Sequence, residues 1–125
     1  RNNLIYEFNP TTEIVSSGTK IELPIGSIVK HMYYTSGQIQ IVYTIGNDTF
    51  IQGCAYNGTT YTLSTYIDNS IGFKCLDAIG SGGKIYWVST SGIHIWSGQS
   101  QLVKYYTFSS SAVIGFNQGI VRIGD

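Results

Sequence analysis

Apolar and polar residues alternate over short runs along the whole chain, and glycine, asparagine and serine punctuate the runs at short intervals. The pattern is clearest in residues 82–98, Gly-Gly-Lys-Ile-Tyr-Trp-Val-Ser-Thr-Ser-Gly-Ile-His-Ile-Trp-Ser-Gly. Ile85 to Val88 are β-branched or aromatic, Ser89 to Gly92 supply a polar turn ending in glycine, and Ile93 to Trp96 alternate again. This reads as two strands folded on a tight turn. In a strand, alternate residues share a face, so Ile93 and Ile95 lie on one side and His94 and Trp96 on the other.

No window of eleven or more residues carries the helical period, and proline occurs only at positions 10 and 24. The expectation is an all-β chain with strands near 3–8, 13–22, 27–34, 38–45, 49–55, 60–67, 71–78, 84–89, 93–97, 101–108, 111–116 and 119–123. The separators are turn formers: Asn9-Pro10, Ser16-Ser17-Gly18, Ser36-Gly37, Gly46-Asn47-Asp48, Asn57-Gly58, Asp68-Asn69-Ser70, Ser81-Gly82-Gly83 and Asn117-Gln118-Gly119. Asn57-Gly58 is the sharpest of them, because a type I′ turn needs positive φ at both central residues.

Segments of the chain repeat one another. Residues 5–15, Ile-Tyr-Glu-Phe-Asn-Pro-Thr-Thr-Glu-Ile-Val, align without a gap on residues 93–103, Ile-His-Ile-Trp-Ser-Gly-Gln-Ser-Gln-Leu-Val, at an offset of 88. That is twice about 44, which places a looser intermediate copy near Phe50 to Leu63. A second set joins a small-residue turn to an aliphatic strand at residues 35–42, 81–88 and 117–123. Four strands over roughly 40–45 residues is the length of a propeller blade.

The run at 82–98 resembles the blade pattern of irregular β-propellers, a glycine, an apolar-aromatic strand, a small-residue turn, then Gly-Ile-x-aromatic and a closing glycine. Such blades include those of tail and portal-associated proteins of bacteriophages. The match is strongest over 71–108, looser over 27–67, and partial at both ends. The Gly-His and Trp-Asp pairs of WD40 blades are absent, as is the kelch glycine doublet with spaced Tyr and Trp, so no subfamily is indicated. The resemblance implies a partial β-propeller of about three four-stranded antiparallel blades, with a β-sandwich or barrel as the alternative. On this reading residues 1–125 form one all-β segment with blade parts 1–23, 27–67, 71–108 and 111–125. The first and last parts would join as one further blade, and a ring with fewer than four blades expects completion by other copies or other segments. An Arg rather than a Met at position 1 fits a processed or excised segment.

Composition narrows the functional classes. At 125 residues one core is expected, and charged residues make up only 11%, with seven basic against seven acidic. No basic stripe is present to hold phosphates, which argues against nucleic-acid partners. No run of eighteen apolar residues suggests a membrane span. Ten Tyr, two Trp and five Phe in so weakly charged a chain fit a protein that packs against partners or displays an aromatic surface.

Chemistry-bearing residues are scattered. His31 and His94 lie far apart with no carboxylate at ligand spacing, and each reads as a strand residue. No Gly-x-Ser-x-Gly elbow presents a nucleophile, and the seven carboxylates are dispersed, so no acid-base pair is indicated. Ser89-Thr90-Ser91-Gly92 with Trp96 is similar to the Asp-box turn of sialidases but lacks its aspartate. Gly80-Ser81-Gly82-Gly83 reads as a turn rather than a phosphate loop, because no helix follows. Cys54 and Cys75 read as buried thiols, with a disulfide as the alternative and a metal pair disfavoured. The side chains offered for contact are aromatic: Tyr33, Tyr34, Tyr56, Tyr61, Tyr66, Trp96, Tyr105 and Tyr106. The expectation is a non-enzymatic structural and interaction propeller without cofactor, in a virion tail or portal vertex, whose partners are other subunits or the rest of a longer chain. The alternatives are an extracellular lectin propeller that binds glycan and, further off, a fragment of a glycan-cleaving enzyme.

Overall fold

The computed structural model of the chain describes residues 3–35, 37–70, 73–97 and 102–107, with 35, 66, 68–70 and 102–107 described by their strand placement alone. The described residues form antiparallel strands and no helix.

The first unit is one kinked hairpin. β1 (Leu4–Ile5) pairs β4 (Ile21–Glu22), and β2 (Phe8–Asn9) pairs β3 (Ile14–Val15) at its tip. The kink has a side-chain cause: Ser16 Oγ accepts the Glu7 N–H at 3.1 Å and donates to the Gly18 carbonyl at 2.9 Å. A hydroxyl thus replaces a ladder partner between the two halves. At the tip, Asn9 Oδ1 accepts the amides of Thr11 and Thr12. At the base, buried Asn3 donates its side-chain amide to the Leu23 carbonyl and accepts the Leu23 N–H on its own carbonyl.

The second unit is a four-stranded meander of β5 (Ile28–Thr35), β6 (Gln38–Ile45), β7 (Asp48–Tyr56) and β8 (Tyr61–Ser70). The third is a meander of β9 (Asp77–Ser81), β10 (Lys84–Val88), β11 (Gly92–Trp96) and β12 (Leu102–Thr107). The described strands form these separate sheets and do not close into a barrel.

The middle sheet is covered on both faces. Four consecutive residues of β6, Ile41 to Thr44, are buried, although successive strand residues point to opposite sides. Ile41, Tyr43 and Cys54 pack with Ile21 and Leu23 of the first unit. Val42 and Ile51 pack with Cys75, Ala78, Ile85, Trp87 and Trp96 of the third. Packing against the third unit is close: the Tyr33 ring of β5 lies over Gly80 of β9, where any Cβ would overlap it. The Gly83 N–H donates to the Tyr33 hydroxyl at 3.2 Å.

Residues 5–15 include the β2–β3 pair, residues 93–96 and 102–103 belong to the paired strands β11 and β12, and the segment from Phe50 to Leu63 lies on the β7–β8 hairpin.

Five local expectations are corrected. The strands placed at 3–8 and 13–22 are each broken in two, β1 with β2 and β3 with β4, where Ser16 kinks the hairpin. The strand placed at 71–78 begins instead at Asp77. Thr49 Oγ1 donates to the Phe73 carbonyl at 2.8 Å and accepts the Cys75 N–H at 2.7 Å, which holds the crossing segment by a side chain rather than a ladder. Asp68-Asn69-Ser70 is not a turn, because it continues β8 opposite Ile51, Phe50 and Thr49, and ladder pairing outweighs the turn preference of those residues. Asn57-Gly58 is not type I′. Gly58 alone has positive φ, at 101°, and Asn57 Oδ1 accepts the amides of Thr59 and Thr60 in a four-residue loop. The two-positive-φ pattern belongs to Gly82-Gly83, at 59° and 80°, between the paired residues Ser81 and Lys84. Trp96, put forward as a surface contact, is a core residue of the face between the second and third units. The strands expected at 111–116 and 119–123 lie outside the described residues.

Candidate functional site: an aromatic groove

A groove of about 390 Å³ opens between the first hairpin and the middle sheet. The sheet side of it is a row across all four strands: Met32 and Tyr34 from β5, Ile39 from β6, Tyr56 from β7 and Tyr61 from β8. Pairing explains the row, since Tyr34 opposes Ile39 and Tyr56 opposes Tyr61, and cross-strand partners share a face. The hairpin contributes Ile5, Tyr6, Glu7, Phe8, Lys20 and Ile21.

Three of the tyrosines singled out from the sequence, Tyr34, Tyr56 and Tyr61, therefore meet at one place. Tyr34 is 60% exposed. The Tyr56 and Tyr61 rings stack with centroids 4.6 Å apart, and the Tyr56 hydroxyl donates to the Gly58 carbonyl at 2.8 Å. The Tyr61 hydroxyl donates to Glu7 Oε2 at 2.6 Å. That hydrogen bond, then desolvation, then the charge of Glu7, holds the Tyr61 phenol protonated well above its usual range. Glu7 is itself fixed through its backbone, because its N–H donates to Ser16 Oγ and its carbonyl accepts the Ser16 N–H at 2.8 Å. Glu7 was not among the residues singled out from the sequence. Only its position two before the repeat turn, facing a tyrosine 54 residues away, brings it into the site.

The other expected contact residues are elsewhere. Tyr33 is half-buried against Gly80 on the opposite face of the sheet. Tyr66 is placed on β8, and Tyr105 and Tyr106 on β12 opposite His94 and Ile93.

A Ser-His pair does exist, inside the core. Ser89 Oγ lies 2.9 Å from His94 Nε2, and the imidazole stacks on Trp87 with centroids 4.0 Å apart. Both residues are buried, so no substrate reaches the hydroxyl, which also accepts the Ser91 N–H at 3.1 Å as part of the hairpin turn. Burial lowers the His94 imidazole to about 4 and lowers His31 as well. Cys54 and Cys75 are free and buried in the two separate core clusters, on opposite sides of the middle sheet. Burial raises both thiols, Cys75 to about 12. Among the described residues no three His, Cys, Asp or Glu side chains gather as a metal site, and no helix is long and apolar enough to cross a membrane. Comparison of the chain with protein-family models, with curated proteins and with solved structures found no match.

Proposed function

We propose that the chain is a non-enzymatic β-propeller segment that works as an interaction module within a larger assembly. The observation that carries this reading is the middle sheet, a four-stranded meander packed on each face against a different antiparallel unit. A two-sheet sandwich covers one face of each sheet, whereas successive blades of a propeller cover both. The hairpin tip adds a reason for partners. Ile14 and Val15, adjacent and so pointing to opposite faces, are 63% and 54% exposed. Apolar exposure on both faces is a surface made to be covered. A place in a phage tail or portal vertex is the form of assembly that the blade resemblance supports.

Sedimentation of the purified chain at micromolar concentration tests the reading. Self-association is expected, with Ile14→Ser and Val15→Ser together shifting the boundary towards the monomer. A single cooperative species of 13.7 kDa would overturn it.

A further inference from the structure

We propose that the groove between the first hairpin and the β5–β8 sheet binds a neutral saccharide, with the Tyr34 ring as its stacking platform and the Glu7 carboxylate as acceptor for its hydroxyls. The volume, about 390 Å³, falls at the small end of the range of about 300–1,000 Å³ that ligand pockets occupy. A sugar ring offers an apolar C–H face and a rim of hydroxyls. The groove offers the matching pair, exposed aromatic rings and a carboxylate, with the Lys20 ammonium as a donor on the hairpin side.

Preorganisation distinguishes this carboxylate from an ordinary surface one. An exposed glutamate gains little stability from being held, yet Glu7 is fixed by hydrogen bonds at its N–H, its carbonyl and its Oε2. One carboxylate oxygen takes the Tyr61 proton donor, and a carboxylate has further lone pairs to offer. Hydrogen bonds from hydroxyls to an ionised, prepositioned acceptor are the strong kind.

Other ligand classes fit less well. An anionic ligand would meet Glu7 with a single lysine to offset it. A wholly apolar ligand would desolvate Glu7, Lys20 and the phenol hydroxyls without replacing their water. A peptide added as a strand needs a row of free backbone groups, whereas the groove floor is a sheet face of side chains.

The site lies within residues 5–61 and does not use Ile14 or Val15, so it stands apart from the assembly reading. The test is titration of the chain with glucose, galactose, mannose, N-acetylglucosamine and their common disaccharides, followed by calorimetry and amide NMR shifts. At least one sugar is expected to bind with a Kd of about 1 mM or tighter. Tyr34→Ala should weaken it roughly 3- to 10-fold, the value of one aromatic stacking contact. Tyr34→Phe should retain binding, and Glu7→Gln should weaken it while leaving the melt cooperative. Absence of binding by every sugar at about 10 mM overturns the proposal. So does binding that is indifferent to Tyr34→Ala, or a Tyr34→Ala chain that binds as before but sediments differently, because the groove would then be a contact between copies.

Discussion

Replacing Gly80 by alanine places a methyl group on the ring of Tyr33, overlapping Cγ and both Cδ atoms. The ring cannot give by a few tenths of an ångström, since the clash is with its fixed inner edge. Either Tyr33 leaves its rotamer or the second and third units part. Gly80 has no positive φ, so the backbone itself accepts alanine, and the cost is steric alone. Overpacking of this kind costs typically 1–3 kcal/mol. Moving the ring also breaks the hydrogen bond from Gly83, worth about 1 kcal/mol. The sum, about 2–4 kcal/mol, is a large share of the 5–15 kcal/mol that typically holds a domain together. It should lower Tm by roughly 8–16 °C at about 4 °C per kcal/mol.

The assay is thermal and urea unfolding followed by dichroism and by the fluorescence of Trp87 and Trp96, which sit in the same core cluster. The decisive comparison is a double-mutant cycle with Tyr33→Ala. Once the ring is absent, Gly80→Ala should be neutral or stabilising by up to about 1 kcal/mol, because alanine suits a strand better than glycine. A Gly80→Ala chain that melts with the wild type would refute the close approach of β5 and β9. Equal costs in both backgrounds would refute Tyr33 as its cause.

Acid should destabilise the chain through His94. Its folded value near 4 lies below the unfolded 6.5, so the unfolded chain binds the extra proton and stability falls as pH drops from about 6.5 to 4. Between pH 7.5 and 5 the loss should be about 2 kcal/mol in urea titrations, with His31 adding in the same direction, and His94→Gln should flatten the slope. Thr49→Val strips both hydrogen bonds that hold residues 73–75 and should cost about 2–4 kcal/mol, while Thr49→Ser should restore most of it on the same unfolding curves. Neither thiol should react with a disulfide reagent at pH 8 until urea unfolds the chain, since burial keeps Cys54 and Cys75 protonated and inaccessible; rapid native labelling would contradict their placement.

Most strands of the two meanders were readable from sequence, because alternation and glycine turns are local signals, whereas the kinked first hairpin was not. Their ends at 28–35, 38–45, 48–56 and 84–88 fall within a residue or two of the expected spans. Most of what failed was set by contacts distant in sequence; the Asn57-Gly58 loop, shaped by Asn57 Oδ1 on the amides of Thr59 and Thr60, is the local exception. The segment at 73–75 is apolar enough for a strand, and only Thr49, more than twenty residues earlier, takes its backbone groups instead. Alternation put His94 and Trp96 on one face but could not say that this face looks inward onto the middle sheet. The groove was half visible. Tyrosines at strand ends suggested contact surface, yet their convergence depends on the register Tyr34 to Ile39 and Tyr56 to Tyr61, and the Glu7 bond depends on how the kinked hairpin lies over them.

One local feature did carry tertiary information. In an antiparallel sheet with one wet face, apolar residues alternate with polar ones; a continuous buried run belongs to a strand covered on both sides. Ile41-Val42-Tyr43 is such a run, and its first and third residues pack against the first unit while the second packs against the third. Ile14-Val15 at the hairpin tip has the same two-faced apolar character, with Phe8 paired across from Val15, and there the described residues leave both side chains exposed. The physical logic that explains cover at β6 therefore demands cover at β3. At the base of the same hairpin that demand is met, since Ile21 is buried on the middle sheet. The unmet half lies at the tip, where Ile14 and Val15 leave apolar surface for the neighbour of the proposed assembly to cover.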